Sequence, residues 1–503
     1  MSRKLSCLKA RKSAVRSIHR SKQARAMMTT DEALSSSDAP LADAPAPRHP
    51  PRSNNEPLVL HPACGFALPA NWITLGAGCI RPDPRPGPRA TKEAGIGGAL
   101  KVRVEDFIVE EIPIYDPSGE GEHIFLGVQK SGMPHSEMLG VIGRHFSVDE
   151  MAIGFAGMKD RAAVTQQTIS VHLPVHRPVG ELIHPRLMVL WAKRHTNKIR
   201  RGHLKGNRFV IRIRNVDPMQ VRTVKARMEA LAVRGIPDYF GEQRFGYRVN
   251  NHVLGLHYAR MESQEILDEM LGSRGTPFPP YQQAVRECYD RGEFAAAGEM
   301  WGRHDQAERI AVRALARGRD AAGAIRAIPA HTKNFWLSAL QGAVFNATLG
   351  ARVADGTFCK VLAGDVAIFT GKGSVFATAA DASESELADL AVRCASLEIS
   401  AAGPIHGPKM VAAEGAPLAY EHAALAACGA DESMFTPPAL EGDGARRPLR
   451  ITMSDWSVDA GVDDHGGYIR LAFDLQKGAF ATVLCREIMG EGVESSEPSR
   501  DGD

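Results

Sequence analysis

The segment from Phe155 to Val171 constrains this chain more than any other stretch. A short apolar run ends at Gly157, the triplet Lys159-Asp160-Arg161 follows, and a Thr/Gln-rich segment leads into Thr168-Ile169-Ser170-Val171. The pattern reads as a strand, a sharp turn and a second strand, with Gly157 supplying backbone angles that other residues resist. Asp160 then lies on the turn with a cation on each side, and a neighbouring cation favours the ionised carboxylate. An ionised carboxylate so placed has the chemistry of a nucleophile or general base. The triplet alone also fits an exposed turn whose charges are only solvated.

With 503 residues the chain is long enough for two or more domains and a large buried core. Apolar residues make up 44% and charged residues 24%, as in ordinary globular proteins. No apolar run reaches the ~18 residues that span a bilayer. The eight cysteines are scattered without a C-x-x-C pair, which argues against structural zinc and a disulfide framework and for a reducing compartment. Of the net charge of +3, residues 1–30 contribute +9, so the rest of the chain carries −6. Any nucleic-acid surface is therefore a local patch.

Residues 1–30 hold nine Lys/Arg and no acid. They fit either a mitochondrial transit peptide or an over-extended start, with Met27 or Met28 the initiator. No secretory h-region follows. Residues 31–56 read as an Ala/Pro/Ser-rich linker and 490–503 as a disordered tail. Gly76-Ala77-Gly78 and Gly95-Ile96-Gly97-Gly98 read as loops, since neither sits in a dinucleotide-binding context. Lys101–Glu111 alternates with a change of phase at Glu105-Asp106, which predicts a strand with a bulge or bend. A second strand is expected over His123–Gln129 and an amphipathic helix over Ser136–Phe146. Ser147-Val148-Asp149-Glu150 has the form of a capping box opening another short helix.

Lys193–Arg214 carries nine Lys/Arg and no acid in 22 residues. Phe209, Ile211 and Ile213 alternate with Arg208, Arg212 and Arg214, so one face packs while the other is expected to neutralise phosphate. Residues 255–330 are helical in pattern, and His331–Arg352 is a strong helix whose Phe335 and Trp336 read as core. Gly364–Ser374 lacks Walker A spacing and reads as a hairpin. Gly403–Gly407 reads as a turn, Leu471–Leu475 as a strand, and Gly478–Glu487 as helix or strand.

Five segments together resemble the TruD family of tRNA pseudouridine synthases. The first is Phe155-Ala156-Gly157, Lys159-Asp160, Ala163-Val164-Thr165 and Gln167, matching F-A-G-x-K-D-x-x-A-V-T-x-Q without a gap. The others are Glu105-Asp106-Phe107 with Asp116–His123; Leu204-Lys205-Gly206-Asn207 with Phe209; Gly235–Gly246, where Asp238 stands for the usual Asn; and Lys333–Ala339 with Phe345-Asn346. The closing Gly478–Glu487 is similar as well. The resemblance implies an α+β fold, with a mixed, mostly antiparallel sheet, flanking helices and an inserted α/β domain. On that reading 57–238 is the first part of the catalytic domain, 239–446 the insertion and 447–489 the catalytic C-terminal part. It implies an enzyme that isomerises a uridine of tRNA, typically at position 13, though larger relatives also modify other RNAs, and that has no cofactor, metal, nucleotide or membrane partner. A monomer is expected, in the cytoplasm or, if residues 1–30 are a transit peptide, in the mitochondrion. Asp160 is then the catalytic carboxylate, and Lys101, Asn207 and Phe209 bind the substrate, Phe209 by stacking on the target base. Arg194, Arg200, Arg201, Lys205 and Arg244 hold the RNA.

Two other classes stay open on the residues alone. Glu110, Glu111, Asp116, Glu120 and Glu122 could hold Mg²⁺ in a nuclease. A non-catalytic RNA-binding module would make Asp160 dispensable.

Overall fold

The computed structural model describes residues 83–490 apart from 303 and 437–441, with three short strand segments outside that span. The leader 1–56, Gly76-Ala77-Gly78 and most of the tail lie outside the described residues.

Seven strands lie side by side in the order Met453–Asp463, Gly466–Gln476, Leu204–Arg214, Phe107–Pro113, Val164–His172, His123–Ser131, Leu187–His195. Every neighbouring pair is antiparallel except Phe107–Pro113 with Val164–His172, which is parallel. The sheet is thus mixed and mostly antiparallel, as the resemblance implies.

Because side chains alternate across a strand, the register decides which residues share a face. Phe107, Val109 and Glu111 pair with Ile211, Phe209 and Asn207, and Val109 also pairs with Thr165. Thr165 and Gln167 in turn pair with Lys130 and Val128. On this face one apolar cluster joins Phe107, Val109, Phe209, Ile211 and Phe473 to the helices Val221–Arg234 and Ala481–Met489. A second joins Leu126, Val128 and Ile169 to the helix His135–Phe146. Fully burying such a side chain contributes roughly 1.5–3 kcal/mol. Lys130, Thr165, Gln167, Glu111 and Asn207 make a polar seam between the two clusters.

Within 239–446, Val366–Phe369 and Val375–Ala377 form the expected hairpin, extended by Ile399–Ile405 and Ala445–Pro448 into a four-stranded sheet. Gly403 to Ile405 is therefore strand, not turn. Six helices between Asn251 and Ala327 share a separate apolar cluster that includes Ile266, Leu267, Val312, Ile325 and Trp336. The helix Ala330–Ala354 buries Trp336 but leaves Phe335 exposed. Gly478–Glu487 resolves into the helix Ala481–Met489.

Local expectations fail where a distant partner intervenes. The phase change at Glu105-Asp106 is a 3-10 turn over Val104–Asp106, because Asp106 turns inward to meet Arg214. Ser147 does not open a helix. It closes the preceding one in the left-handed region, φ 51°, and only a three-residue 3-10 turn, Glu150–Ala152, follows. Gly157 does not use glycine's freedom: it is absent from the positive-φ residues, and a Cβ there would meet nothing within 4 Å.

The arginine face of Leu204–Arg214 is not a phosphate surface. Arg208 pairs with Asp474 at 2.8 Å, Arg212 lies 3.9 Å from Asp106, and Arg214 is buried between Asp106 at 2.6 Å and Asp463 at 2.6 Å. Removing one partner of a buried pair leaves an uncompensated charge. Arg214→Met leaves the buried Asp106 carboxylate with only Arg212 at 3.9 Å, and the urea unfolding midpoint should fall by the equivalent of roughly 3 kcal/mol.

Candidate active site

Asp160 lies in the loop between Ile153–Phe155 and Val164–His172, at the edge of the polar seam. Its carboxylate is 37% exposed, and its Oδ2 accepts from Lys101 Nζ at 3.0 Å. Lys101 itself is only 4% exposed. Its backbone occupies the left-handed region, φ 55°, a conformation that costs an L residue on the order of 1–2 kcal/mol. Its ammonium stands 4.8 Å from the centre of the Phe107 ring. A cation held this way by backbone and ring has little freedom to leave the carboxylate. The charge beside Asp160 thus comes from 59 residues away, while the neighbouring Arg161 is exposed.

The loop is clamped from below. Lys130, fully buried at the end of its strand, donates to the carbonyls of Met133 at 2.8 Å, Lys159 at 3.3 Å and Asp160 at 2.6 Å. Burial is the main cause that lowers its pKa from 10.5 to about 8, with Lys159 adding to the effect and Asp160 opposing it. Lys159 points away from Asp160's exposed edge: its Nζ donates to Asn207 Oδ1 and lies 3.7 Å from Glu111 Oε2. Burial pushes Glu111 up and Lys159 down, and their mutual attraction opposes both shifts. Glu111 Oε1 also accepts from the Thr168 amide at 3.2 Å. His135 sits edge-on to Phe155, ring centroids 4.5 Å apart. Burial first, then Lys130, Lys159 and Arg201, lower its pKa to about 4, so the imidazole is neutral at pH 7.

Of the residues the sequence singled out, the structure gathers Lys101, Asp160, Asn207 and Phe209. Phe209 is 7% exposed, stacked on Phe473 at 5.6 Å and edge-on to Phe107 at 6.3 Å. In this state its ring is part of the core beneath Lys101 rather than an open platform. Arg200 and Arg201 are exposed on the loop after Ile199, with Arg201 5.6 Å from the Phe155 ring. Lys205 is exposed two residues before Asn207. Arg194 stands apart: it spends its guanidinium on the carbonyls of Leu173 and Arg177, at the opposite end of the sheet from Lys130. Arg244 belongs to another cluster, half-buried over Phe240 at 4.7 Å and Phe335 at 6.0 Å.

Lys130, Lys159, Glu111 and His135 are the site's neighbours that sequence reasoning missed as a group. A signal existed for two of them. Lys130 continues the apolar alternation Ile124, Leu126, Val128, and Glu111 continues Phe107, Val109, so each is in phase with a buried face. Glu111 faces a lysine rather than a cation site, and among the described residues no group of three His, Cys, Asp or Glu is placed to hold a metal.

Comparison with known proteins places this mixed sheet and its carboxylate loop among the pseudouridine synthases. The family model for tRNA pseudouridine synthase D (TruD) matches residues 88–488. The tRNA pseudouridine synthase D of Geobacter metallireducens is 35% identical over 400 residues, 79% of this chain and 96% of that protein. That of Thermus thermophilus is 33% identical over 396 residues, 78% and 89% of the two chains. A crystal structure from Methanosarcina mazei, described as a tRNA pseudouridine synthase D, shares the fold with a TM-score of 0.67 at 23% identity, covering 82% of this chain and 97% of that one. The chain belongs to the TruD family of pseudouridine synthases.

Proposed function

We propose that this protein isomerises a uridine of tRNA, at position 13, to pseudouridine, with Asp160 as the catalytic carboxylate. The observation that carries the reading is the Asp160 carboxylate, held at 3.0 Å by a buried lysine at the rim of an otherwise closed seam, in a chain of this family. The reaction breaks the bond from N1 to C1′, turns the base and joins C5 to C1′. The C5 proton is released, and N1 gains one, so atoms and electrons balance with no cofactor.

An ionised carboxylate can attack C1′, add to C6 or take a ribose proton, and each route needs it ionised and fixed beside the nucleoside. Lys101 supplies the second condition, its ammonium fixing the carboxylate at 3.0 Å. Asn207, held by Lys159, offers its amide to the base edge, and Phe209 stiffens the floor through Phe107 and Phe473. The target uridine leaves its stack to reach the loop, and Arg200, Arg201 and Lys205 are exposed cations for the flanking phosphates.

The division into a catalytic part and an insertion over 239–446 is supported by the strands: the large sheet draws on 99–214, 453–476 and 494–495, the small one on 366–377, 399–405 and 445–448, the last running two residues past the insertion. The five described cysteines are all free, in keeping with a reducing compartment such as the cytoplasm. No helix among the described residues is long and apolar enough to cross a membrane.

Carbodiimide mapping of unmodified tRNA after incubation with the enzyme tests the reading. A single new reverse-transcription stop at position 13 is expected. Stops elsewhere would move the assignment to another uridine, and no stop in any tRNA would overturn it.

A further inference from the structure

The paired strands His123–Ser131 and Val164–His172 run on from the Lys130–Thr165 pair to the His123–His172 pair. That is roughly 23 Å at about 3.3 Å per residue. There they border an open cleft of about 770 Å³, lined among others by His123, Arg144, His172, Arg177, Lys198 and Asp149. Of the twelve lining residues, Arg144, Arg177 and Lys198 are permanent cations, His123 and His172 are imidazoles, and Asp149 is the one acid. The two imidazoles form a cross-strand pair, ring centroids 5.2 Å apart. Arg177 donates to the Phe146 carbonyl at 2.9 Å and Lys198 to that of Met151, so both cations are fixed in the wall. Arg144 is exposed, and Glu122, 3.7 Å from His172, lies exposed beside it.

Like charges gathered in a concave wall create a field that concentrates anions. The two imidazoles stand among cations, and with Asp149 and Glu122 nearby no three of these groups are placed to hold a metal among the described residues. The segment that supplies Lys198 to the cleft runs on to the active-site loop. Gly202 donates to the Ala156 carbonyl at 2.8 Å, which ties the loop bearing Lys198, Arg200 and Arg201 to the loop bearing Asp160.

We propose that this cleft is a second RNA contact that binds the sugar-phosphate backbone of tRNA away from the reacting uridine. At about 3.4 Å of rise per stacked nucleotide, the bound segment lies on the order of seven nucleotides away. The inference rests on the reading of tRNA as the substrate.

The test compares wild type with Arg144→Glu/His172→Glu, using fluorescence anisotropy at about 0.1 M salt. The probes are an unmodified full-length tRNA transcript and a short hairpin of about three base pairs around the target uridine. For the variant, Kd for the transcript should rise about ten-fold and the slope of log Kd against log salt should fall by about 1–2. Affinity for the hairpin and kcat at saturating transcript should not change. Should the double reversal fail to melt like wild type, Arg144→Ala/His172→Ala is expected to move the same quantities in the same direction by less. Unchanged transcript affinity, including the case of a cleft that takes an acidic protein instead, overturns the inference. So does equal weakening of transcript and hairpin. Wild type that binds no tRNA at all would overturn the substrate reading as well, so the two failures are distinguishable.

Discussion

Asp160→Asn is expected to abolish pseudouridine formation, with kcat lowered on the order of 10⁴-fold or more, while tRNA affinity stays within a few-fold of wild type. The amide keeps the shape of the carboxylate and its place over the seam but can neither attack carbon nor accept a proton. The neighbouring lysine makes the substitution informative. Lys101 is buried at 4% exposure and donates to Asp160 Oδ2 at 3.0 Å, and it can still donate to an amide oxygen. Binding energy that comes from exposed cations remote from the carboxylate is untouched. Active-site titration by product formation, alongside a Kd for unmodified tRNA, separates the two quantities. Turnover within ten-fold of wild type would move the chemistry to another group. Weakened binding in step with turnover would make Asp160 an RNA contact instead.

Lys130→Met should lower kcat on the order of 10²-fold with little change in KM, the size of loss that accompanies a displacement of about 1 Å in a reacting group. Lys130 touches no substrate in this arrangement; it positions the loop. Its three N–H donors meet the carbonyls of Met133, Lys159 and Asp160, and methionine leaves all three without that partner. The pH dependence distinguishes positioning from simple damage. Burial brings the Lys130 pKa down from 10.5 to about 8. Below pH 8 the ammonium has a proton for each carbonyl; as pH rises through 8 one donor and the charge are lost, and wild-type kcat should fall. Stability moves the other way. Between pH 8 and 10.5 the unfolded chain holds more protons at this group than the folded one, so its contribution to stability rises with pH in that window. A wild-type alkaline limb near 8 that disappears in Lys130→Met, with no matching fall in unfolding midpoint, is the expected result. The same limb in both proteins would assign it to another group.

Short-range pattern carried much of this molecule. The strands His123–Ser131 and Val164–His172, the helices His135–Phe146 and Ala330–Ala354, and the Val366–Ala377 hairpin follow from alternation, helical period and turn residues within a few positions. Asp160 stood out because its motif is contiguous. Its partner could not be read from the residues alone: Lys101 is 59 positions away and reaches it only through a left-handed backbone turn. The cations adjacent in sequence do something else, since Lys159 turns to Asn207 and Glu111 and Arg161 is exposed.

The basic strand teaches the same lesson in reverse. Its apolar face, Phe209, Ile211 and Ile213, packs as the pattern predicts. Its arginine face looked free for phosphate because its partners come from other parts of the chain: Asp106 just before one neighbouring strand, Asp474 on the other, and Asp463 on the strand beyond that. Periodicity says which side chains share a face; it does not say what that face meets. Buried polar residues in phase with an apolar run, Lys130 and Glu111, were the one signal of the seam available before any register was known.

The most direct test of the central claim is release of tritium from C5-labelled uridine in unmodified tRNA by the wild-type protein, with EDTA present. Breaking the bond to N1 and joining C1′ to C5 must expel the C5 hydrogen, so release should reach one tritium per pseudouridine formed and be indifferent to the chelator. Protein that binds the same tRNA yet releases no tritium, from this or from total cellular RNA, would contradict the account and leave a binding protein built on an enzyme's fold.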